Sequence, residues 1–442
     1  MRRHILAVLG LLVLAAVGVV AYLAWPDAAR LDVAAVSGAR PTITSPREQM
    51  LPTVKTADPI GWKAGQAPTP AAGLRVAAFA TGLDHPRWLY RLPNGDVLVA
   101  ETNSPPREGG GIQGWVMRHL LGKVGAGGPS ANRITLLRDA DGDGRAEART
   151  VFMTGLNSPT GMALFDGQLY VANTDSLVRV PYTEGATSIT AKPELVVKLP
   201  GGGNHWARNV IPSEDGRTLY VSVGSASNVA EGGFEREKFR AAILQVYPKE
   251  KTFRVYATGL RNPNGMALVP GTDRLWTVVN ERDMLGSDLV PDYLTAVELG
   301  DNLGWPWYYW GGYIDTRVEP RNLELQQYVK RPDYALGPHV AALGLSFAAD
   351  AKLGGQFTRG AFVGEHGSWN RKPLSGYKVV FVPFDAGGWP VKGAKPVDVL
   401  TGFVTPEGDA HGRPVGVITD RAGALLVADD VGDAIWRVTA AR

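Results

Sequence analysis

A chain of 442 residues can bury a large core, and its 46 basic and 43 acidic residues leave a net charge of +3 with no basic run suited to nucleic acid. The absence of cysteine excludes disulfides, thiolate metal sites, iron–sulfur clusters, a cysteine nucleophile and a lipid-modified cysteine. Its 54 glycines and 31 prolines point to a turn-rich, all-β chain.

The chain opens on the basic Met1-Arg2-Arg3-His4 and continues from Ile5 to Trp25 without a charge. That length predicts a transmembrane or signal helix over residues 1–25, with its basic start held in the cytoplasm. The rest is then expected outside the cytoplasm, in the cell envelope: membrane-anchored and periplasmic, or secreted if the weak site after Ala24 is cleaved. Residues 26–70 carry seven prolines and no sustained periodicity, and read as a Pro-rich tether. Within it, Ile60-Gly61-Trp62 offers a piece able to pack along the surface of the domain.

From residue 71 to 442 one pattern recurs. Thr81-Gly-Leu-Asp-His85-Pro-Arg87 leads through Pro93-Asn-Gly95 to Val97-Leu-Val-Ala100. Thr154-Gly-Leu-Asn-Ser158 and Thr258-Gly-Leu-Arg261-Asn262-Pro-Asn264-Gly-Met-Ala267 begin two similar copies. His205 to Val221, His339 to Val363 and His411 to Ala428 begin three more. Each copy is an apolar strand, a Gly-containing turn and a second apolar strand, and most are followed by a third, such as Ala242-Ile-Leu-Gln-Val-Tyr247. Short strands repeated in this way predict a six-bladed β-propeller with long loops, preceded by the N-terminal helix. Residues 284–335 are irregular and leave room for a seventh blade.

Two inserts stand out. Gly111 to Lys123 has the spacing of a short amphipathic helix, and Asn302-Leu-Gly-Trp305-Pro-Trp307-Tyr-Tyr-Trp310 is an aromatic loop, suited to packing or to one wall of a ligand funnel. Of the seven histidines, 85, 205, 339 and 411 occupy the same loop of different copies, together with Arg87, Arg208, Arg261, Asn262 and Arg413. Blade symmetry brings that loop repeatedly to one end of the axis, where arginine and histidine suit a planar polyanion. His85 and His339 read as caps on backbone carbonyls, His205 and Arg261 as functional.

The motifs of serine hydrolases, zinc proteases, P-loops and dinucleotide-binding turns are absent. Asp139-Ala-Asp141-Gly-Asp143-Gly-Arg-Ala-Glu147 has oxygen ligands on alternate residues, as in a calcium loop, but Thr150 stands where a bidentate Glu is expected. It reads equally as a plain Asp-Gly turn.

Gly-Leu-Arg261-Asn262-Pro-Asn-Gly-Met, Asp301-Asn-Leu-Gly-Trp305-Pro, Gly364-Glu-His366-Gly-Ser-Trp-Asn-Arg371 and the Asn204-His205 loop together resemble the soluble glucose dehydrogenase and L-sorbosone dehydrogenase family, which uses pyrroloquinoline quinone (PQQ). The resemblance implies a six-bladed propeller oxidising an aldose or related aldehyde sugar, with PQQ and calcium at the top of the axis. It implies His205 as general base, with hydride passing from C1 of the sugar to the quinone. Arg261 is implied to polarise the quinone; Arg208, Arg261, Asn262, His366, Arg371 and Arg413 are implied to hold the cofactor. Electrons are expected to pass to a quinone or cytochrome partner, with the membrane as a further partner through the helix. The family has Asp where Asn204 stands, and its Gly-Pro calcium site is replaced near Asn280-Glu281-Arg282-Asp283, making Glu281 and Asp283 the candidate metal ligands. Two other classes stay open: a metal-dependent lactonase or esterase using Glu101, Asn173 and Glu281, and a non-catalytic propeller that binds sugar or protein.

Overall fold

The computed structural model describes residues 10–18, 27–48, 53–106 and 128–441. Six four-stranded antiparallel sheets are arranged as blades around one axis. Blade one is Pro86–Arg91, Val97–Glu101, Arg133–Arg138 and Ala148–Met153. Blade two is Met162–Phe165, Gln168–Ala172, Ser176–Pro181 and Glu194–Lys198. Blade three is Val210–Pro212, Leu219–Val223, Ala242–Tyr247 and Thr252–Thr258. Blade four is Asn262–Leu268, Leu275–Asn280, Pro291–Val297 and Tyr334–Pro338. Blade five is Ala342–Phe347, Gly360–Glu365, Lys378–Pro383 and Val397–Thr401, with Thr69–Pro70 added at its outer edge. Blade six takes Pro414–Thr419, Leu425–Asp429 and Ala434–Ala440 from the C-terminal end and Leu74–Thr81 from the other. That last pairing, from Leu74↔Ala440 to Thr81↔Ala434, closes the ring and satisfies an edge that would otherwise be open.

The second strand of each blade is a continuous apolar run because both faces of a blade pack against neighbours. Leu219–Val223 and Val97–Glu101 are buried throughout. Six hydrophobic clusters fill the gaps between successive blades; Leu98, Ile134 and Phe152 of blade one, for example, share a cluster with Leu169 and Val171 of blade two. Nearest the axis the inner strands approach closely enough to require glycine. A Cβ on Gly265 would lie 2.6 Å from the Leu343 carbonyl oxygen, and one on Gly416 2.8 Å from that of Arg87. The recurring glycine of the sequence repeats is therefore a contact between blades.

The expected membrane-spanning helix is corrected by the structure. Of Ile5–Trp25 the described part is a helix over residues 10–18, and residues 1–9 and 19–26 lie outside the described residues. At 1.5 Å per residue such a helix covers roughly half of a ~30 Å hydrocarbon core. Among the described residues no helix is long and apolar enough to cross a membrane. This finding contradicts a membrane-spanning N-terminal helix as a component of the fold, the membrane as a partner through it and the anchored envelope location that rests on it. The amphipathic insert expected at Gly111–Lys123 also lies outside the described residues.

Residues 27–62, read as part of a tether, run along the propeller where they are described. The Ala29 amide donates to the Lys372 carbonyl, Gly38 pairs with Ala335, and the Ile60 amide donates to the Ala410 carbonyl. Trp62 fixes the end of this strap: its indole donates to Asp429 at 2.7 Å and its ring stacks on His411 at 5.0 Å. The stretch 284–335, irregular in sequence, adds no seventh blade: it contains the third strand of blade four, Pro291–Val297, and then residues 298–333. The latter form an excursion between the third and fourth strands of blade four, held by the fully buried Arg282, which donates to the Pro306 and Tyr308 carbonyls at 2.6 Å.

Candidate functional site

Inner and second strands of each blade are antiparallel, so the start of one and the end of the other lie at the same end of the propeller. The loops there bring Arg87, His205, Asn262, His339, His366 and Arg413 onto a single cavity of about 420 Å³. The half-buried Trp206 and Trp369 contribute aromatic wall, and Thr56 of the N-terminal strap reaches its lining.

His205 is positioned by a glycine run. Gly203 has φ +82°, and a Cβ there would lie 2.7 Å from Ala226 Cα, so the loop can hug residues 224–227 only with glycine. His205 Nδ1 lies 2.8 Å from the Ser225 carbonyl and 3.0 Å from its hydroxyl, which itself donates to Ser227. A carbonyl only accepts, so the ring proton sits on Nδ1 and the basic lone pair of the neutral ring is on Nε2. Asn262, one blade on, is 7% exposed and its amide oxygen has no hydrogen-bond partner. It is an orphaned polar atom in the lining of a cavity.

Arg261 is a hub on this side. Its guanidinium donates to the Glu281 carbonyl at 2.5 Å, to Asn228 Oδ1 at 2.9 Å and to Asp283 at 3.0 Å. Burial alone would raise the Asp283 carboxyl, but Arg261 and His339 outweigh it and hold it below the usual carboxylate range. His339 Nε2 donates to the Gly286 carbonyl and its Nδ1 lies 3.4 Å from Asp283. Burial would lower that imidazole, yet Asp283 raises it above its ordinary value. Asp292 lies beneath, its oxygens accepting from the Glu281 and Ala341 amides at 2.7 Å, and burial pushes it up to about 7.

The facing wall is built around Asp430, a 1% exposed carboxylate. Arg87 donates to it at 2.5 Å, His366 Nε2 at 2.8 Å, and His85 Nε2 lies 3.4 Å away. Arg87 also lies over the Trp206 ring, 5.4 Å from its centroid. Arg413 donates to the His366 and Gly367 carbonyls. Burial, and then the Arg413 charge, push His366 down to about 3, so its imidazole is neutral.

Of the sequence-expected residues, His205, Arg261, Asn262, His366, Arg413, Glu281 and Asp283 come together in this lining. Arg208 and Arg371 do not. Arg208 is fully buried and donates to the Pro200, His205 and Ala207 carbonyls, bracing the histidine loop. Arg371 donates to the Ser287 and Pro373 carbonyls beneath the strap. The Glu281 carboxylate is taken up by Arg282 at 2.9 Å. Glu101 is held by Arg133 and Thr135, and of the lactonase set Glu101, Asn173 and Glu281 it is Glu281 alone that belongs to the lining of this cavity. Among the described residues, the carboxylates that converge enough to hold a cation are Asp139, Asp141, Asp143 and Glu147, whose oxygens lie within 4.8 Å of one another in the hairpin at the far end of blade one. Asp430, Asp292 and Asn228 escaped the sequence reading; the Asp429-Asp430 doublet closing an apolar strand was the available signal for the first.

Comparison with known proteins gives a consistent picture. The TrAA12-like family model matches residues 124–293 and 316–441. An aldose sugar dehydrogenase, YliI, of Escherichia coli K12 is 23% identical over 314 residues, covering 66% of this chain and 78% of its own. An uncharacterized protein of Borreliella burgdorferi is 28% identical over 298 residues, covering 64% and 76%. Among solved structures, the calcium structure of a Trichoderma reesei carbohydrate-active enzyme of family AA12 superposes with a TM-score of 0.69 at 19% identity, over 88% of this chain and 99% of its own. The holo form of the PQQ domain of a Coprinopsis cinerea pyranose dehydrogenase gives 0.67 at 20% identity, over 87% and 100%. At these identities the structural likeness shows a shared fold.

Proposed function

The chain belongs to the TrAA12-like family, and from that membership and the cavity we propose that it is an oxidoreductase that oxidises C1 of an aldose or related aldehyde sugar with PQQ. Its likeness to dehydrogenase propellers supports enzymatic, oxidoreductase character. The observation that carries the finer reading is His205, whose Nδ1–H is committed to the Ser225 carbonyl and whose basic Nε2 belongs to a cavity-lining ring.

The residues present fit a planar polyanion. Arg87 and Arg413 supply fixed positive charge, Trp206 and Trp369 supply apolar wall, and the orphaned Asn262 amide lies in the lining. Arg87 and Arg413 would hold carboxylates, while Asn262 and Arg261 would meet the reacting carbonyl. When bound, PQQ supplies a two-electron hydride acceptor. His205 Nε2 takes the proton of the C1 hydroxyl as the C1 hydrogen leaves as hydride, so a C1–H and an O–H bond break and a carbonyl forms. The Ser225 carbonyl keeps the ring oriented and favours the imidazolium that results. Arg261, braced by Asp283 and Asn228, supplies fixed positive charge beside the site of reduction.

Glu281 and Asp283 do not fit a calcium ion as they stand. Each carboxylate already faces a fixed cation, Arg282 in one case and Arg261 in the other. No step is assigned to calcium.

Replacing His205 with Ala tests the reading. Loss of a general base lowers turnover by about 10²–10⁴-fold, while PQQ affinity, set by the opposite wall, changes less than about threefold. Turnover retained at the wild-type rate would remove His205 from the chemistry.

A further inference from the structure

One buried carboxylate organises the cationic wall. Asp430 receives Arg87 from the start of blade one and His366 from the end of the second strand of blade five, while its own amide donates to the Arg413 carbonyl of blade six. His85 completes the cluster at 3.4 Å. Arg87, His366 and Arg413 line the cavity, whereas Asp430 is not part of the lining. A guanidinium on a long side chain has many orientations, and holding it costs side-chain entropy unless an acceptor fixes it. A carboxylate contacting both Arg87 and His366 supplies that acceptor, and it sets the imidazole tautomer: both Asp430 oxygens accept, so His366 carries its proton on Nε2 and turns a lone pair on Nδ1 to the other side of the ring.

We propose that Asp430 is the positioning residue of the cationic wall, fixing the Arg87 guanidinium for an anionic ligand and the tautomer of the neighbouring His366, and thereby setting affinity for that ligand without taking part in the chemistry. The inference rests on the PQQ reading for the identity of the ligand and on geometry alone for the positioning. The charges of Asp430 and Arg87 offset one another inside the cluster, and Arg413, which donates to backbone carbonyls, leaves the wall with a net positive charge toward an anion in the cavity.

The test compares wild type, Asp430→Asn and Asp430→Glu by PQQ titration, thermal unfolding and ¹⁵N NMR of the histidine rings. Asp430→Asn is expected to weaken PQQ binding at least ~10-fold, the scale of one lost charge-assisted contact. It is also expected to end the single Nε2–H form of His366, and Asp430→Glu is expected to restore part of both. A folded Asp430→Asn protein that binds PQQ within about twofold of wild type, with the His366 signals unchanged, would overturn the proposal. Removing a buried charge partner can unfold a chain. The wild-type spectrum therefore carries its own test, because a His366 ring protonated on Nδ1 contradicts the assigned contact. If wild type binds no PQQ while the His366 tautomer follows Asp430, the cofactor reading fails and the positioning stands.

Discussion

Glu365 shows how position in the repeat and chemical role part company. Glu101, Asp429 and Glu365 each face the first register position of their blade's inner strand. Glu101 accepts from Arg133, Thr135 and the Asp84 amide, and Asp429 from Trp62, Trp436 and two backbone amides. Glu365 is buried with both oxygens unbonded, because its register partner Lys378 donates to Asp398. Burial pushes it up to about 8 from an ordinary 4.5. The folded chain therefore binds a proton that the unfolded chain releases. That contribution to stability is complete below pH ~4.5 and is lost as pH rises through ~8. Glu365→Gln, which cannot titrate, is expected to gain in melting temperature on wild type as pH is raised from about 5 to 8.5. Parallel pH courses for the two proteins would show that Glu365 has an ordinary titration. The same scale marks the limit of sequence reading. Arg208 and Arg371 occupy motif positions, but each turned to the bare carbonyls around it, and only folded coordinates say where those are. Asp430 stayed hidden because the Asp429-Asp430 doublet marks a strand end but does not say which of the two acids meets Arg87 and His366.

At the scale of elements, the strap and the excursion from blade four are what the repeat does not encode. The paired strands of each blade were legible because alternate Gly turns and apolar runs mark them directly, and the glycines of Gly-Met-Ala type mark the contacts between inner strands. The described parts of residues 27–62 lack that periodicity because they meet several blades through isolated hydrogen bonds to backbone and side-chain groups. Trp62 is the part of the strap with a sequence signal and with the most to lose. It donates to Asp429, stacks on His411 and meets Phe403 and Trp436 edge-on at 5.7 and 5.3 Å. Trp62→Ala is expected to cost about 3 kcal/mol, the low end for a buried aromatic because the ring is half-buried. It also removes one of the donors to Asp429, which burial already pushes up to about 6. Chemical denaturation at neutral pH measures the cost; a change under about 0.5 kcal/mol would mean that the strap is not anchored there.

The whole molecule turns a repeated hairpin into a converging site. Six similar units place the same loop at one end, so a histidine from one blade, an arginine and asparagine from the next and a histidine and arginine from two others meet on one cavity. The blade number was legible because it is a count of repeats. The membrane-spanning helix was not sustained, since a run of uncharged residues states only what a helix there would be able to do, and the described helix covers residues 10–18. Under the proposed function, this convergence holds a quinone beside a base. The most direct measurement is a titration of the purified chain with PQQ, following cofactor absorbance before and after adding a panel of aldoses. Saturable binding followed by sugar-driven bleaching of the quinone, lost in His205→Ala with binding retained, is the expected result. A chain that binds no PQQ, or that binds it and leaves it unbleached by every aldose and aldehyde sugar offered, would contradict the account.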